Sequence, residues 1–128
     1  MYVELHSRSA FSFLEGGSLP EDLISACARH EMPAIALLDR DGVYGAPRFH
    51  TAARKSGIRA HIGAEISVQE TGLQTCEPIW APLPFDRGPV RCSLLVETRE
   101  GYQNLCRMIT QYKLREKNKN EARATFRD

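Results

Sequence analysis

The chain has 128 residues, 42% of them apolar and 26% charged, with a formal net charge of +1. That suits one compact domain burying roughly 65–70% of its unfolded surface. No apolar run approaches the ~20 residues a membrane helix needs, and the charge balance shows no basic surplus of the kind that marks a nucleic-acid binder.

Tyr2 to His6 reads as a first strand, followed by a turn of small residues through Gly16-Gly17. Ser18-Leu19-Pro20-Glu21-Asp22 then opens a helix, with a capping hydroxyl, proline in the first turn, and acids where the helix dipole favours them. Leu23, Ile24, Cys27 and Ala28 recur at helical spacing as its apolar face, and Met32-Pro33 ends it. Ala34 to Leu38 is wholly apolar and closes on Asp39, the pattern of a strand buried on both faces of a parallel sheet. Pro47 to Lys55 reads as a second helix stopped by Gly57. Ile58 to Val68 is a third strand carrying His61, Gly63 and Glu65. Segment 69–89 is rich in proline and glycine and reads as a loop or irregular hairpin. Val90 to Glu97 is a fourth strand and Glu100 to Lys113 a third helix, with Tyr102, Leu105, Met108, Ile109 and Tyr112 as its stripe. Residues 113–128 are charged and nearly without large apolar side chains, so this tail is expected to fray beyond a domain of residues 1–112.

Alternating strands and helices predict an α/β fold with a mostly parallel sheet, its crossovers right-handed. In such sheets function collects at the carboxyl ends of strands. His6, Asp39 and Glu65 all fall at predicted strand ends, so one rim receives a polar group from each of three strands.

The opening run His6-Ser7-Arg8-Ser9 to Gly16, with Leu38-Asp39-Arg40 and Gly63-Ala64-Glu65, resembles the PHP (polymerase and histidinol phosphatase) domain. It is most similar to the form found in bacterial C-family polymerases, above all their error-prone branch. The segment Ser93 to Ile109 is also similar to the polymerase-type sequence. The resemblance implies the first three or so βα units of a PHP-type barrel, left incomplete. It makes His6 a metal ligand and Glu65 a bridging carboxylate, and puts Glu15 near a further ligand position. The family usually reads His-x-His-Ser at the first motif, so Arg8 replaces its second histidine, and Arg40 stands where many members carry one. A guanidinium offers no lone pair and keeps its proton. Arg8 and Arg40 are therefore expected to replace the cations electrostatically, pairing with Glu65, Asp39 or Asp41. No cofactor is expected, a zinc or manganese ion at His6 and Glu65 being held weakly at most.

His61 lies four residues before Glu65, roughly 13 Å along a strand, too far to share an ion. His30 and His50 fall on helical segments and are expected to face solvent or to pack. Cys27, Cys76, Cys92 and Cys106 contain no C-x-x-C pair, so reduced thiols are expected rather than a zinc site. No phosphate-binding glycine loop or nucleophile elbow is present. By resemblance, the function is that of the opening part of an error-prone polymerase α subunit, itself structural and without activity. The alternative is a stand-alone metal-dependent phosphoesterase or 3′–5′ exonuclease. Expected partners are the remainder of such a subunit or a second copy joined at open sheet edges. DNA is met only indirectly, no membrane is involved, and the location is cytoplasmic in the absence of a leader pattern.

Overall fold

The computed structural model describes residues 2–69, 90–117 and 122–125. In order they form β1 (Glu4–Ser7), α1 (Pro20–Arg29), β2 (Ala34–Arg40), α2 (Ala46–Ser56), β3 (Arg59–Val68), β4 (Val90–Leu95) and α3 (Arg99–Arg115). The four strands make one sheet in the order β1-β2-β3-β4. The first three run parallel and β4 returns antiparallel to β3. This is a mostly parallel, curled half-barrel sheet, the predicted class. The proline- and glycine-rich segment predicted at 69–89 falls outside the described residues apart from Gln69.

The period-two alternation of strands sorts β3 into two faces. Ala60, Ile62, Ala64, Ile66 and Val68 join the apolar clusters. The first two lie against Ile24 and Cys27 of α1 and Phe49 and Ala53 of α2, the rest against Leu105, Ile109 and Tyr112 of α3. His61, Gly63, Glu65 and Ser67 point the other way. β2 is buried throughout from Ala34 to Asp39, as its continuous apolar run predicts.

Several sequence expectations shift. β1 begins at Glu4, and Tyr2 is 63% exposed. The α1 N-cap is Leu19 rather than Ser18, its N–H bonded at 3.3 Å to the Asp22 carboxylate. A leucine side chain cannot cap, so the acid three residues on supplies the whole interaction. Ala28 is exposed, and Pro20 takes its place on the buried face beside Ile24 and Cys27. The fourth strand ends at Leu95 rather than Glu97, and Leu95 is 49% exposed. Gly57 ends α2 in the left-handed region at φ 69°, as predicted.

The stretch expected to fray from Lys113 behaves otherwise where it is described. α3 runs on to Arg115, and Ala122 and Ala124 are buried in the α3–β3 cluster. Ala124 pairs as a parallel bridge with Val68, its N–H donating to Ser67 O at 2.9 Å. Small apolar residues between charges are enough for this, because each needs only a narrow slot beside the strand.

Gly63 lets β4 lie close. A Cβ there would meet Leu94 O at 2.1 Å and Leu38 Cγ at 3.1 Å. The obstacle is backbone, so it cannot swing aside. Gly63→Ala is expected to destabilise the chain by about 2–3 kcal/mol and to break the β3–β4 pairing. Hydrogen exchange should show early loss of protection at Val90–Leu95, and unchanged protection there would refute the close approach.

Candidate functional site

The site gathers where β1 ends, β2 ends and β4 starts, around the Glu65 carboxylate. The register pairs Arg40 with Glu65 across β2–β3 and Ser67 with Arg91 across β3–β4. Residues directly opposite share a face, so Arg40, Glu65 and Arg91 project together. Glu65, its side chain 3% exposed, receives an Arg8 guanidinium N–H on Oε2, with His6 Nε2 at 2.5 Å from the same oxygen. Arg91 Nη1 donates to its Oε1 at 3.2 Å.

A second carboxylate closes the cluster from above. Glu15 accepts Arg40 Nη1 at 2.6 Å and Arg91 Nη2 at 2.9 Å on Oε1, and Arg91 Nη1 at 3.0 Å and Arg8 Nη1 at 3.2 Å on Oε2. Burial pushes both acids' pKa values up, but their partners outweigh it. For Glu65 these are Arg8, His6 and Arg91; for Glu15 they are Arg91 and Arg40, and both carboxyls end below the ordinary value. Arg91 is held above its own ordinary value, first by its bond to Glu15.

Asp39 is not part of this cluster. One residue before Arg40, it points to the opposite face, where it is 1% exposed. There it accepts Ser9 N–H at 2.8 Å and Ser12 Oγ at 2.7 Å on Oδ1, and Ser9 Oγ at 2.7 Å on Oδ2. The two hydroxyls in turn accept Phe11 N–H and Arg40 N–H. The expected arginine–Asp39 pair is thus replaced by a serine network that fastens the Ser9–Gly16 loop to β2. Asp41 likewise serves structure. It accepts Ser67 N–H and Oγ at 2.7 and 2.8 Å and Tyr112 O–H at 3.1 Å, and lies 3.7 Å from Arg40 Nε. Burial, then the Asp41 charge, raises the Tyr112 phenol far above its ordinary pKa.

Of the sequence-predicted site residues, His6, Arg8, Glu15, Arg40 and Glu65 come together and Asp39 does not. Arg91 is absent from the predicted set, because it is one charged residue in a strand marked by its apolar content; alternation from Leu95 back through Ser93 places it on the Glu65 face. His61, on that face too, pairs in register with Ala36 and lies well below the cluster. His30 and His50 are exposed, as expected.

A zinc or manganese ligand must keep a lone pair free at ~2 Å from the ion. Here guanidinium N–H groups already point at both oxygens of Glu65, and no group of three His, Cys, Asp or Glu side chains able to hold an ion occurs among the described residues. The donor set of these described residues does not fit a divalent cation.

Four strands in a mostly parallel, curled half-barrel sheet, with charged groups gathered at one rim, define the fold class. The profile of the PHP domain matches residues 4–127, and the chain belongs to that family. It is 42% identical over 109 residues to an error-prone DNA polymerase of Anaeromyxobacter sp. (strain K), covering 85% of this chain and 8% of the relative. It is 40% identical over 127 residues to the error-prone DNA polymerase of Mycobacterium tuberculosis (strain ATCC 25618 / H37Rv), covering 98% of this chain and 11% of the relative. The chain therefore spans only about a tenth of these relatives' length. Among solved structures, an amidohydrolase from Chromobacterium violaceum shares the fold at TM-score 0.61 and 23% identity, over 88% of this chain and 33% of that one. No helix among the described residues is long and apolar enough to cross a membrane.

Proposed function

We propose that this chain is the opening part of the PHP module of an error-prone, C-family DNA polymerase. It acts as a scaffold whose site is held by arginines in place of metal. The observation that carries this reading is the contact of Arg8 and Arg91 with the Glu65 carboxylate, which uses the oxygens an ion would need. The relatives' length supports a role within a larger subunit. β1 and β4 end the described sheet order, and their outer edges suit strand addition by the rest of such a subunit, or by a second copy of this chain. Contact with DNA would come through that assembly.

The purified chain is expected to contain no stoichiometric zinc or manganese and to show no metal-dependent phosphoesterase or 3′–5′ exonuclease turnover. Its melting temperature should not respond to a chelator, whereas an ion held at 100 times its Kd would add about 2.7 kcal/mol. Turnover abolished by Glu65→Ala, with an ion bound, would instead establish the stand-alone phosphoesterase.

A further inference from the structure

Glu15 is bound more tightly than a loop residue needs to be. It sits on the turn between β1 and α1, yet three guanidiniums, from beyond β1 (Arg8), the end of β2 (Arg40) and the start of β4 (Arg91), converge on its carboxylate. Beneath it, Glu65 satisfies Arg8 and Arg91 a second time. Three guanidiniums thus face Glu15 and Glu65, with Asp41 3.7 Å from Arg40 Nε as a more distant third carboxylate that also accepts from Ser67 and Tyr112. Arg8 Nε is buried and has no hydrogen-bond acceptor among the described residues. The cluster holds donor capacity that its own carboxylates do not use.

The loop that carries Glu15 is fastened unevenly. Its first part is fixed by the serine network on Asp39, and Ala10 N–H donates to Ser18 O at 2.7 Å. Beyond Ser12 the tip folds back on its own base, Glu15 and Gly16 N–H donating to Ser12 O at 2.9 Å, while the side chains of residues 13 and 14 pack on little. Phe13 is 81% and Leu14 90% exposed, and Leu14 sits at φ 62°, a strained conformation for a branched side chain. The Glu15 side chain ties this tip to the sheet. The Phe11–Leu14 segment also lines an open pocket of about 370 Å³ together with Arg40, Asp41 and Lys113.

We infer that Glu15 is a tethered anion filling a three-guanidinium site, and that Phe13–Gly17 is a strap which a phosphate group can displace. This rests on the proposed arginine-held site. A guanidinium fork matches phosphate oxygens as it matches a carboxylate. A phosphate dianion also carries more charge than the single carboxylate it replaces. The tethered acid competes at an effective concentration in the millimolar range, so the native chain takes phosphate weakly, and removing the acid's charge exposes the site.

The test is calorimetric titration of the whole chain with inorganic phosphate in the presence of a chelator, with metal content measured on the same sample. Glu15→Gln should bind inorganic phosphate at least about tenfold more tightly than the native chain, and adding Arg40→Ala should remove the gain. A 5′-phosphorylated oligonucleotide in a second arm distinguishes a strand end from the free anion, and tighter binding of either by Glu15→Gln supports the strap. In the native chain, which needs no variant to fold, phosphate should shift the amide resonances of residues 13–17 in a saturable way. Equal phosphate affinity in both proteins, or unmoved resonances at 13–17, would overturn the proposal. Bound metal in the sample would instead count against the arginine-held site.

Discussion

Asp39→Ala is expected to lower the melting temperature by about 12–20 °C. The carboxylate is 1% exposed and takes a backbone N–H and two hydroxyls. Hydrogen bonds to a charged group contribute about 1.5–3 kcal/mol each, and a buried donor left without its acceptor costs about 1–3 kcal/mol. Simple addition overshoots, because bonds within one network are not independent. A total near 4 kcal/mol is reasonable, at the upper limit for single substitutions. The loss spreads along the loop, since the Ser9 and Ser12 hydroxyls also accept Phe11 and Arg40 N–H. For a domain of this size each kcal/mol moves the transition by about 3–5 °C. Asp39→Asn keeps one acceptor oxygen and should lose roughly half as much. Melts followed by circular dichroism decide it. A shift below about 3 °C for the alanine variant would mean that water replaces the carboxylate.

Asp39 also shows what the sequence could and could not convey. Its place at the end of an apolar run located the strand end correctly. The side it faces depends on register, which becomes fixed only when Arg40 pairs with Glu65. A one-residue offset reverses the face, so a residue expected in the charge cluster became the anchor of a loop. Helical spacing was more informative, because 3.6-residue periodicity is local. Ile24 and Cys27 of α1, and Leu105, Ile109 and Tyr112 of α3, are all buried. The cap of α1 was misplaced by one residue because Asp22 can satisfy the Leu19 N–H without the Ser18 hydroxyl. Arg8, Glu15, Arg40 and Glu65 were legible through the family motifs. Arg91 lies outside those motifs, and its role arises from an antiparallel pairing that brings residues 26 apart in sequence into contact. The docking of Ala122 and Ala124 was hidden for a related reason, since a polar composition says little about two small residues beside a strand.

Arg8→Ala is expected to cost about 2–3 kcal/mol at pH 7, with a deficit that shrinks in acid. Breaking a buried ion pair can cost about 3–5 kcal/mol by stranding a charge. Here the lower end applies. Arg8 is 28% exposed, and His6 and Arg91 still reach the 3%-exposed Glu65 after its loss. Arg8→Lys should fall between, because one ammonium cannot bond Glu15 and Glu65 together as the fork does. The sign of the pH effect follows from the acids. Burial alone would raise the Glu65 pKa, but Arg8, then His6 and Arg91, bring it below the ordinary value, and Glu15 is lowered likewise. A carboxyl whose folded pKa is depressed contributes its full stability above the unfolded value, about 4.3 for glutamate, and loses it as pH falls through the folded value. The native chain should therefore hold its stability down to about pH 5 and lose it steeply below pH 4. Without Arg8 the Glu65 pKa returns upward, so the variant has less of this contribution to lose. Urea denaturation at pH 7, 5, 4 and 3 gives both curves. Convergence toward low pH is the expected result, while a constant gap would show that Arg8 stabilises the fold by packing its stem and not through the Glu65 charge.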